Sequence, residues 1–456
     1  MNRIAGRAGI TLLLAILLLA GFVFFICEFV VEAGEWIVFP GSPHVYNGGN
    51  IGCGAVVDKD GTLLLDLNDG RTYGETSQLR KATVHWLGDR NGSISAPALS
   101  YHSSQMVGFD LLNGIYNYAQ TGGVAELTLS AKVQMAALEA LGDHKGTVGV
   151  YNYKTGQLLC AVTTPTFDPD NAPVWNEDSA EAYDGLYFNR FTQGTYIPGS
   201  IFKVATLAAV LETMPELQEE TFVCTGTYTI GADAVTCEGA HYDQSLKTAF
   251  CNSCNCVFAQ IVERLGSETL QTYVNKFRIT ESIAFDGITT AAGNFNVQNA
   301  SIVGAAWAGI GQYTDQINPC AFMTFMGAIA GGGRSAQPYV VQEISVEGNR
   351  TYRAKVQTGE RLMSMATAEK ISEYLRNNVE NKYGAEHFPG LTVCAKTGTG
   401  EVGGDKKPNA MLAGFVSDEA YPLAFVVCVE DGGYGGTVCL PIASKVLAAC
   451  KEVLVP

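Results

Sequence analysis

Ser200 and Lys203 stand three residues apart at the head of an otherwise apolar stretch, PGSIFKVATLAAVLE, residues 198–212. Residues with this spacing lie on one face of a helix, so the two side chains can touch. A serine hydroxyl is a poor nucleophile unless a base lies within hydrogen-bond reach. A lysine can be that base when burial and a nearby second cation favour its neutral amine. The pair therefore indicates nucleophilic catalysis by a serine.

An isolated S-x-x-K pattern has a simpler explanation, a helix-capping serine beside a surface lysine, because the pattern arises by chance in a long chain. Two later motifs favour the catalytic interpretation. The S-C-N motif at residues 253–255 offers a hydroxyl and an amide, and the K-T-G-T motif at residues 396–399 offers a second lysine on a predicted strand. A glycine in that strand lets a substrate backbone lie close.

The three motifs occur in the order S-x-x-K, S-x-N, K-T-G-T, with 53 and 143 residues between their leading positions. This order resembles the penicillin-binding transpeptidases and serine β-lactamases. Further stretches resemble class B penicillin-binding proteins, and the resemblance covers residues 124–456, with the preceding module similar to that of the small PbpA-like branch. These stretches are FNRFTQGTYIPGSIFK, GIGQYTDQINPCAFMTFMGAIAGGG and AKTGTGEVGGDKKPNAMLAGFV.

The resemblance implies a role for each catalytic candidate. Ser200 is the expected nucleophile, and Lys203, kept neutral partly by the second cation Lys396, is the expected base. Ser253 is expected to relay a proton to the leaving amine, and Asn255 to hydrogen-bond Lys203 and the substrate amide.

The K-T-G-T strand is expected to bind substrate. Lys396 and the hydroxyls of Thr397 and Thr399 hold the substrate carboxylate, and Gly398 leaves room for the substrate backbone. The backbone N–H groups of Ser200 and Thr399 form the oxyanion hole. The resemblance implies that the reaction needs no metal and no organic cofactor.

The implied function is a peptidoglycan D,D-transpeptidase that is acylated by D-alanyl-D-alanine stem peptides and by β-lactams. Three alternatives remain open: a D,D-carboxypeptidase that uses water as acceptor, a β-lactamase, and a non-catalytic β-lactam sensor or scaffold. Too few residues precede the transpeptidase region for a glycosyltransferase domain. A separate membrane glycosyltransferase of the SEDS type is therefore the expected partner.

Three local features depart from this pattern or compete with it. Ile201 stands where threonine or serine is frequent, and Tyr313 follows Gln312 where glycine is frequent. A second K-T-G occurs at residues 154–156, but it precedes Ser200 and lies at a predicted hairpin turn. We interpret it as unrelated to the site.

The chain has 456 residues, 47% of them hydrophobic, and a formal net charge of −16. This composition supports well-packed cores and two or three domains. The negative charge disfavours nucleic acid as a partner, because phosphates would be repelled.

Residues 10–27 form an uncharged apolar run, preceded by Arg3 and Arg7 and followed by Glu28 and Glu32. The run is long enough to span a membrane, and the basic residues place the N-terminus in the cytoplasm. We predict a cytoplasmic tail at 1–9, a transmembrane anchor at 10–31 and an extracytoplasmic remainder. A cleaved signal peptide is the alternative, but no small-x-small cleavage site follows.

We predict a pedestal or linker module at 32–145 and a penicillin-binding transpeptidase domain at 146–456. Alternating segments broken by Gly, Asn and Asp between residues 36 and 126 indicate a β-rich module. Periodicity predicts a helix within residues 130–146 that ends at Gly142 or Gly146, a buried helix from near Ser200, a closing helix at 441–454, and strands at both ends of the later region. The expected fold class is α+β, a sheet flanked by helices and preceded by one transmembrane helix and the small module.

Thirteen cysteines are many for an exported chain. Cys224 and Cys237 could close a hairpin disulfide, although pairing cannot be deduced from sequence. Cys251, Cys254 and Cys256 resemble a metal cluster, but no second pair stands at zinc-finger spacing. We instead expect Cys254 to pack behind Ser253 and Asn255, and the outer two to be small buried hydrophobes.

Overall fold

The computed structural model describes residues 2–454, except 40, 41, 43, 44, 48, 49, 69, 109–121 and 175–183. Fourteen α-helices occur in this part of the chain. In chain order they are α1 (Asn2–Ile37), α2 (Ser77–Leu87), α3 (Pro97–Tyr101), α4 (Ser103–Val107), α5 (Ala131–Leu141), α6 (Arg190–Gln193), α7 (Lys203–Thr213), α8 (Leu246–Cys251), α9 (Asn255–Leu265), α10 (Ser267–Phe277), α11 (Ile302–Gly309), α12 (Pro319–Ala330), α13 (Met365–Asn378) and α14 (Gly435–Leu454).

Nineteen β-strands occur in the same described residues. They are β1 (Tyr46–Asn47), β2 (Asn50–Ile51), β3 (Ala55–Val57), β4 (Leu63–Asp66), β5 (Thr72–Tyr73), β6 (Val124–Leu127), β7 (Gly146–Asn152), β8 (Leu158–Thr164), β9 (Thr221–Cys224), β10 (Thr227–Ile230), β11 (Asp233–Thr236), β12 (Tyr242–Ser245), β13 (Ala284–Phe285), β14 (Ile288–Thr289), β15 (Val341–Val346), β16 (Asn349–Arg353), β17 (Val393–Gly400), β18 (Asn409–Val416) and β19 (Leu423–Val429).

Helix α1 contains the predicted membrane span. Its apolar part has a mean hydropathy of 3.0 and buries none of its most apolar window against the protein. At 1.5 Å per residue, its 36 residues extend about 54 Å, well beyond a hydrocarbon core of about 30 Å. An apolar window that buries none of its surface against the described residues is the form expected of a single membrane anchor.

A five-stranded antiparallel sheet lies at the centre of the later region, in the order β17-β18-β19-β7-β8. Helices α5 and α14 cover one face, while α12 packs on β7, β18 and β19 and α13 on β17. Strand burial is nearly complete along β18 and β19, as expected for a sheet covered on both faces. The predicted α+β fold class, a sheet flanked by helices, is confirmed.

The strands and helices predicted from periodicity are present. Helix α5 occupies the predicted residues, and α14 begins six residues before the predicted closing helix. The second K-T-G lies in the turn between β7 and β8, where the Asn152 side chain accepts hydrogen bonds from the N–H groups of Lys154 and Thr155. It is therefore a turn motif, as the sequence predicted.

A second sheet of six strands has the order β16-β15-β6-β3-β4-β5. The predicted hairpin character holds for β3 and β4, but the same region also contains helices α2, α3 and α4. Helix α2 is locally encoded, because Thr76 caps its first turn and Gly88 follows its last residue. Strands β15 and β16 come from residues 341–353, far along the chain, and complete this sheet.

Arg80 on α2 joins this module to the segment that follows β8. Its guanidinium donates to both carboxylate oxygens of Asp168, at 2.7 Å each. The pair is mostly buried, and Arg80 holds the pKa of Asp168 well below its usual range. Such bidentate pairs fix geometry as well as contributing energy.

We expect Asp168→Asn to lower the free energy of unfolding by about 1–3 kcal/mol, because the buried guanidinium loses the carboxylate that binds it through both oxygens and, of its carboxylate contacts, keeps only the longer one to Asp170, at 3.4 Å. Asp170→Asn is the matched control, since its carboxylate is more exposed and should contribute less than about 1 kcal/mol. Thermal unfolding of the detergent-solubilised chain at neutral pH measures both. Equal shifts in the two variants would contradict this role for the buried pair.

Candidate active site

Ser200 lies in a tight turn rather than in a regular α-helix. Residues Gly199–Phe202 form a 3₁₀ turn that leads directly into α7. Side chains three residues apart eclipse one another in a 3₁₀ turn, which brings Ser200 and Lys203 together. The Lys203 amine Nζ donates to Ser200 Oγ at 3.1 Å.

The S-x-N loop meets this pair from the junction of α8 and α9. Lys203 Nζ lies 2.6 Å from the Ser253 carbonyl oxygen, 3.3 Å from Ser253 Oγ and 2.7 Å from Asn255 Oδ1. Ser253 has a left-handed backbone, with φ of 57°, which is costly for a non-glycine residue. That conformation lets both its carbonyl and its hydroxyl contact the same lysine.

Lys396 enters from strand β17 and completes the network. Its Nζ donates to Ser253 Oγ at 3.0 Å and to the Thr397 carbonyl oxygen at 3.1 Å. Ser253 Oγ thus lies between two lysine amines. The five predicted catalytic residues, which are Ser200, Lys203, Ser253, Asn255 and Lys396, form one continuous hydrogen-bonded group.

Both lysines are fully buried, with 0% of each residue exposed. Neither amine has a carboxylate within ion-pair distance in the described part of the chain, and aromatic rings of Phe258 and Phe250 lie 5.7 and 5.9 Å from Lys203 Nζ and Lys396 Nζ. Burial lowers the pKa of Lys203 to about 8. Burial, and then the positive charge of Lys203, lowers the pKa of Lys396 well below its ordinary value. One neutral amine is therefore accessible near physiological pH.

The K-T-G-T strand borders the cleft beside Ser200. Strand β17 is the edge strand of the central sheet, and Thr397, Gly398 and Thr399 line a cleft of about 1050 Å³. A Cβ on Gly398 would lie 2.6 Å from the Pro198 carbonyl oxygen, so only glycine permits this approach of the strand to the Ser200 turn.

Gly199 brings the backbones of Ser200 and Thr399 together. It has a φ of 53°, and a Cβ there would lie 2.2 Å from the Thr399 carbonyl oxygen and 2.9 Å from the Thr399 nitrogen. Glycine therefore serves both the left-handed turn and the close contact. The same contact places the two backbone N–H groups expected to form the oxyanion hole on adjoining segments.

Sequence reasoning missed Tyr383 and a positional role for Gln312. The Tyr383 hydroxyl lies 3.1 Å from Thr397 Oγ1 and accepts from the Thr397 N–H at 3.2 Å, while Gln312 Nε2 donates to the Thr399 carbonyl at 3.1 Å. Both side chains fix the K-T-G-T strand. Tyr313, one of the departures noted in sequence, has a φ of 79°, which explains the frequency of glycine there.

The cysteines at 251, 254 and 256 are buried as the sequence predicted, whereas Cys224 and Cys237 belong to a grouping that the sequence did not indicate. Cys254 is fully buried behind Ser253 and Asn255, and Cys251 and Cys256 are buried as well. The Cys224–Cys237 disulfide, which the sequence left open, is not formed, and both thiols are free. Each instead faces Cys254 and His241, a grouping with the spacing C-x12-C-x3-H-x12-C that zinc-finger templates did not reveal.

The comparisons with known proteins agree with this geometry. The family model for the penicillin binding protein transpeptidase domain matches residues 146–448. The chain belongs to this family. The resemblance first seen in the three motifs is confirmed.

Relatives of known name extend the match beyond the domain. The chain is 28% identical over 392 residues to peptidoglycan D,D-transpeptidase PbpA of Mycobacterium tuberculosis, covering 78% of each chain. It superposes with a TM-score of 0.76 and 25% identity on a D,D-transpeptidase domain from Eggerthella lenta, covering 88% of this chain and 98% of that one. The ceftriaxone acyl-enzyme complex of M. tuberculosis penicillin-binding protein A gives the same TM-score at 24% identity, over 87% and 98%, and shows a shared fold.

We expect the rate of acylation by a β-lactam to rise with pH, to reach half its maximum near pH 8 and to level off above about pH 9. The reason is that the neutral amine of Lys203 becomes populated as pH rises through its lowered pKa. Stopped-flow acylation between pH 6 and 10 measures this, with circular dichroism as a control for folding. A rate that is flat or falls across that interval would exclude a lysine base with this pKa.

We expect Gly199→Ala to slow acylation by about 10²-fold or more, because the added Cβ separates Ser200 from Thr399 and disturbs an oxyanion donor. Gly231→Ala is the control, since Gly231 also has a positive φ but no atom lies within 4 Å of the Cβ that the substitution adds. Both variants carry the backbone strain, and only the first carries the clash. Equal acylation rates in the two variants would contradict the importance of the contact.

Proposed function

We propose that this chain is a membrane-anchored peptidoglycan D,D-transpeptidase in which Ser200 forms the acyl-enzyme. The observation that carries the proposal is the placement of Ser200 Oγ and Ser253 Oγ on the amine of one fully buried lysine, Lys203. Burial favours a neutral amine that can accept the serine proton, and Ser253 offers that proton a route onward.

In the acylation step, Lys203 Nζ takes the proton of Ser200 as Oγ attacks the carbonyl carbon of the penultimate D-alanine. A carbon–oxygen bond forms, and the negative charge that develops on the carbonyl oxygen is stabilised by the N–H groups of Ser200 and Thr399. The carbon–nitrogen bond to the terminal D-alanine then breaks. The proton passes from Lys203 through Ser253 Oγ to the departing amine, which restores the neutral lysine.

The remaining motif residues bind the substrate. Thr397 and Thr399 line the cleft and are partly exposed, so their hydroxyls can hold the carboxylate of the terminal D-alanine, and the buried Lys396 supports it from the same strand. Asn255 holds Lys203 through its oxygen, and its amide nitrogen donates to the Thr236 carbonyl at 3.0 Å. This bond uses one of the two N–H donors of the amide, and the second N–H is left to donate to a carbonyl oxygen of the substrate.

Deacylation by an amine of a neighbouring stem peptide completes a cross-link. The amine attacks the acyl carbon, its proton returns to Ser200 Oγ through Lys203, and an amide bond replaces the ester. Water in place of the amine gives the D,D-carboxypeptidase reaction. The two reactions share every residue named above and differ in access of the acceptor to the cleft.

The location and partners follow from the N-terminal helix. We propose that the N-terminus is cytoplasmic and the transpeptidase domain extracytoplasmic, because Arg3 and Arg7 precede the span while glutamates follow it. The substrate lies on the same side of the membrane. A separate SEDS-type glycosyltransferase in that membrane would supply the glycan strands.

The test uses the full chain in detergent with fluorescent penicillin and, separately, a D-alanyl-D-alanine stem peptide with an amine acceptor. We expect a stable penicillin adduct that Ser200→Ala abolishes and Ser253→Ala slows by about 10²-fold or more. Mass spectrometry should show release of D-alanine and an amide product. The conservative variant Ser444→Ala, on α14 outside the cleft, is the matched control.

Each other outcome has a definite meaning. Hydrolysed stem peptide without an amide product would make the chain a D,D-carboxypeptidase. An adduct that disappears within seconds would indicate a β-lactamase. Absence of any adduct from folded protein would reject serine acylation, and the scaffold interpretation would replace it.

A further inference from the structure

Three thiols and one imidazole meet behind the S-x-N loop. The potential ligand atoms of Cys224, Cys237, His241 and Cys254 all lie within 4.8 Å of one another. Cys237 Sγ lies 3.6 Å from His241 Nδ1 and 4.0 Å from Cys254 Sγ. None of the four takes part in the chemistry described above.

These separations match those of ligands around one tetrahedral zinc ion. With Zn–S of about 2.3 Å and Zn–N of about 2.0–2.1 Å, tetrahedral angles put two sulfurs about 3.8 Å apart and a sulfur and a nitrogen about 3.6 Å apart. A disulfide requires sulfurs at about 2.05 Å. The observed distances therefore fit shared coordination better than a covalent bridge.

The backbone holds the four positions in place. Cys224 ends β9 opposite Tyr242 of β12, and the His241 N–H donates to the Cys224 carbonyl at 3.0 Å. The Cys237 N–H, just after β11, donates to the Gly226 carbonyl at 2.9 Å. Cys254 is the residue that caps α9. The ends of β9 and β11 and the start of α9 thus already hold the ligand residues close together.

Two of the four residues are buried and two border the cleft, which suits a structural metal site that an ion can reach from the cleft. Cys224 and Cys254 are buried, with 1% and 0% exposed, whereas Cys237 and His241 are partly exposed and line the cleft. Four protein ligands leave no open coordination position, so the ion would not activate water. Soft thiolates combined with one imidazole in tetrahedral geometry favour zinc among the common metal ions.

We propose that Cys224, Cys237, His241 and Cys254 bind one structural Zn²⁺ that joins the segment β9–β12 to the S-x-N loop. Cys254 lies between Ser253 and Asn255, and Asn255 Nδ2 already donates to Thr236, the residue before Cys237. The ion would add coordinate bonds to that hydrogen bond and to the one that Asn252 Nδ2 donates to Gln244 Oε1 at 3.2 Å. It would thereby hold Ser253, with its left-handed backbone, in position against the two lysines.

The site goes beyond the transpeptidase proposal and does not depend on it. The ion takes no part in bond formation or cleavage, which agrees with a reaction that needs no metal. Its effect on catalysis is indirect, through the position of Ser253 and Asn255.

The test begins with the full chain, purified in detergent with a reductant and without chelator. Elemental analysis should find about one zinc per chain, and Cys224→Ser or His241→Ala should lower the bound zinc at least about tenfold, because each removes one of four ligands. Cys450→Ala is the matched control, a buried cysteine on α14 outside the cluster. Its zinc content should equal that of the unaltered chain.

Metal exchange keeps the test valid if a variant does not fold. The unaltered chain is stripped with a chelator and titrated with Co²⁺ alone, then with Zn²⁺ alone. Tetrahedral thiolate ligation should give a cobalt–thiolate charge-transfer band that zinc abolishes at one equivalent. Removal of zinc should slow penicillin acylation at least about tenfold, and zinc alone should restore it.

Three results would overturn the inference. One is folded, reduced protein that binds neither ion at one equivalent. Another is a Cys224–Cys237 disulfide in peptide maps of protein handled without oxygen. The third is acylation that does not change when zinc is removed, which would reject the connection to the S-x-N loop. Loss of acylation in zinc-loaded protein would instead count against the transpeptidase proposal alone, so the two failures are distinguishable.

Discussion

The site depends on keeping two lysine amines out of water. An unpaired ammonium in an apolar interior is costly, and the cost is reduced either by hydrogen bonds or by loss of the proton. Here both happen, because Ser253 supplies its carbonyl and hydroxyl, Asn255 supplies its oxygen, and the pKa of each lysine is lowered. The absence of a carboxylate partner for these amines in the described residues is what makes a neutral base accessible.

The surrounding elements serve this arrangement in different ways. The 3₁₀ turn aligns Ser200 with Lys203, the α8–α9 junction presents Ser253, and the edge strand β17 carries Lys396. Glycine permits the closest approaches, since Gly199 and Gly398 lie against backbone atoms where a Cβ could not fit. The site is therefore assembled from three rigid segments, and small errors in their packing would separate the reacting groups.

The six-stranded sheet illustrates how the rest of the chain supports this core. Its strands β3–β6 come from the N-terminal module, while β15 and β16 come from residues 341–353. Backbone pairing of β15 with β6 therefore joins this module to the matched transpeptidase domain. The Arg80–Asp168 pair adds a second connection at the other side of the module.

The sequence by itself determined the features that depend on local pattern. Apolar periodicity indicated α5, α7 and the strands of the central sheet, an uncharged run indicated the α1 span, and three motifs in order indicated the chemistry at Ser200. The helices of the N-terminal module were not predicted, because the frequent Gly, Asn and Asp residues of this region were interpreted as hairpin turns, although Thr76 and Gly88 mark the two ends of α2.

Only the tertiary structure decided which distant residues meet. Ser200, Ser253 and Lys396 are separated by 53 and 143 residues, and their contacts arise from packing of whole elements rather than from local preference. The same holds for the Tyr383 hydroxyl on Thr397 and for the grouping of Cys224, Cys237, His241 and Cys254. Side-chain period fixes the face of an element on which a residue lies, but the partner of that face is set by long-range packing.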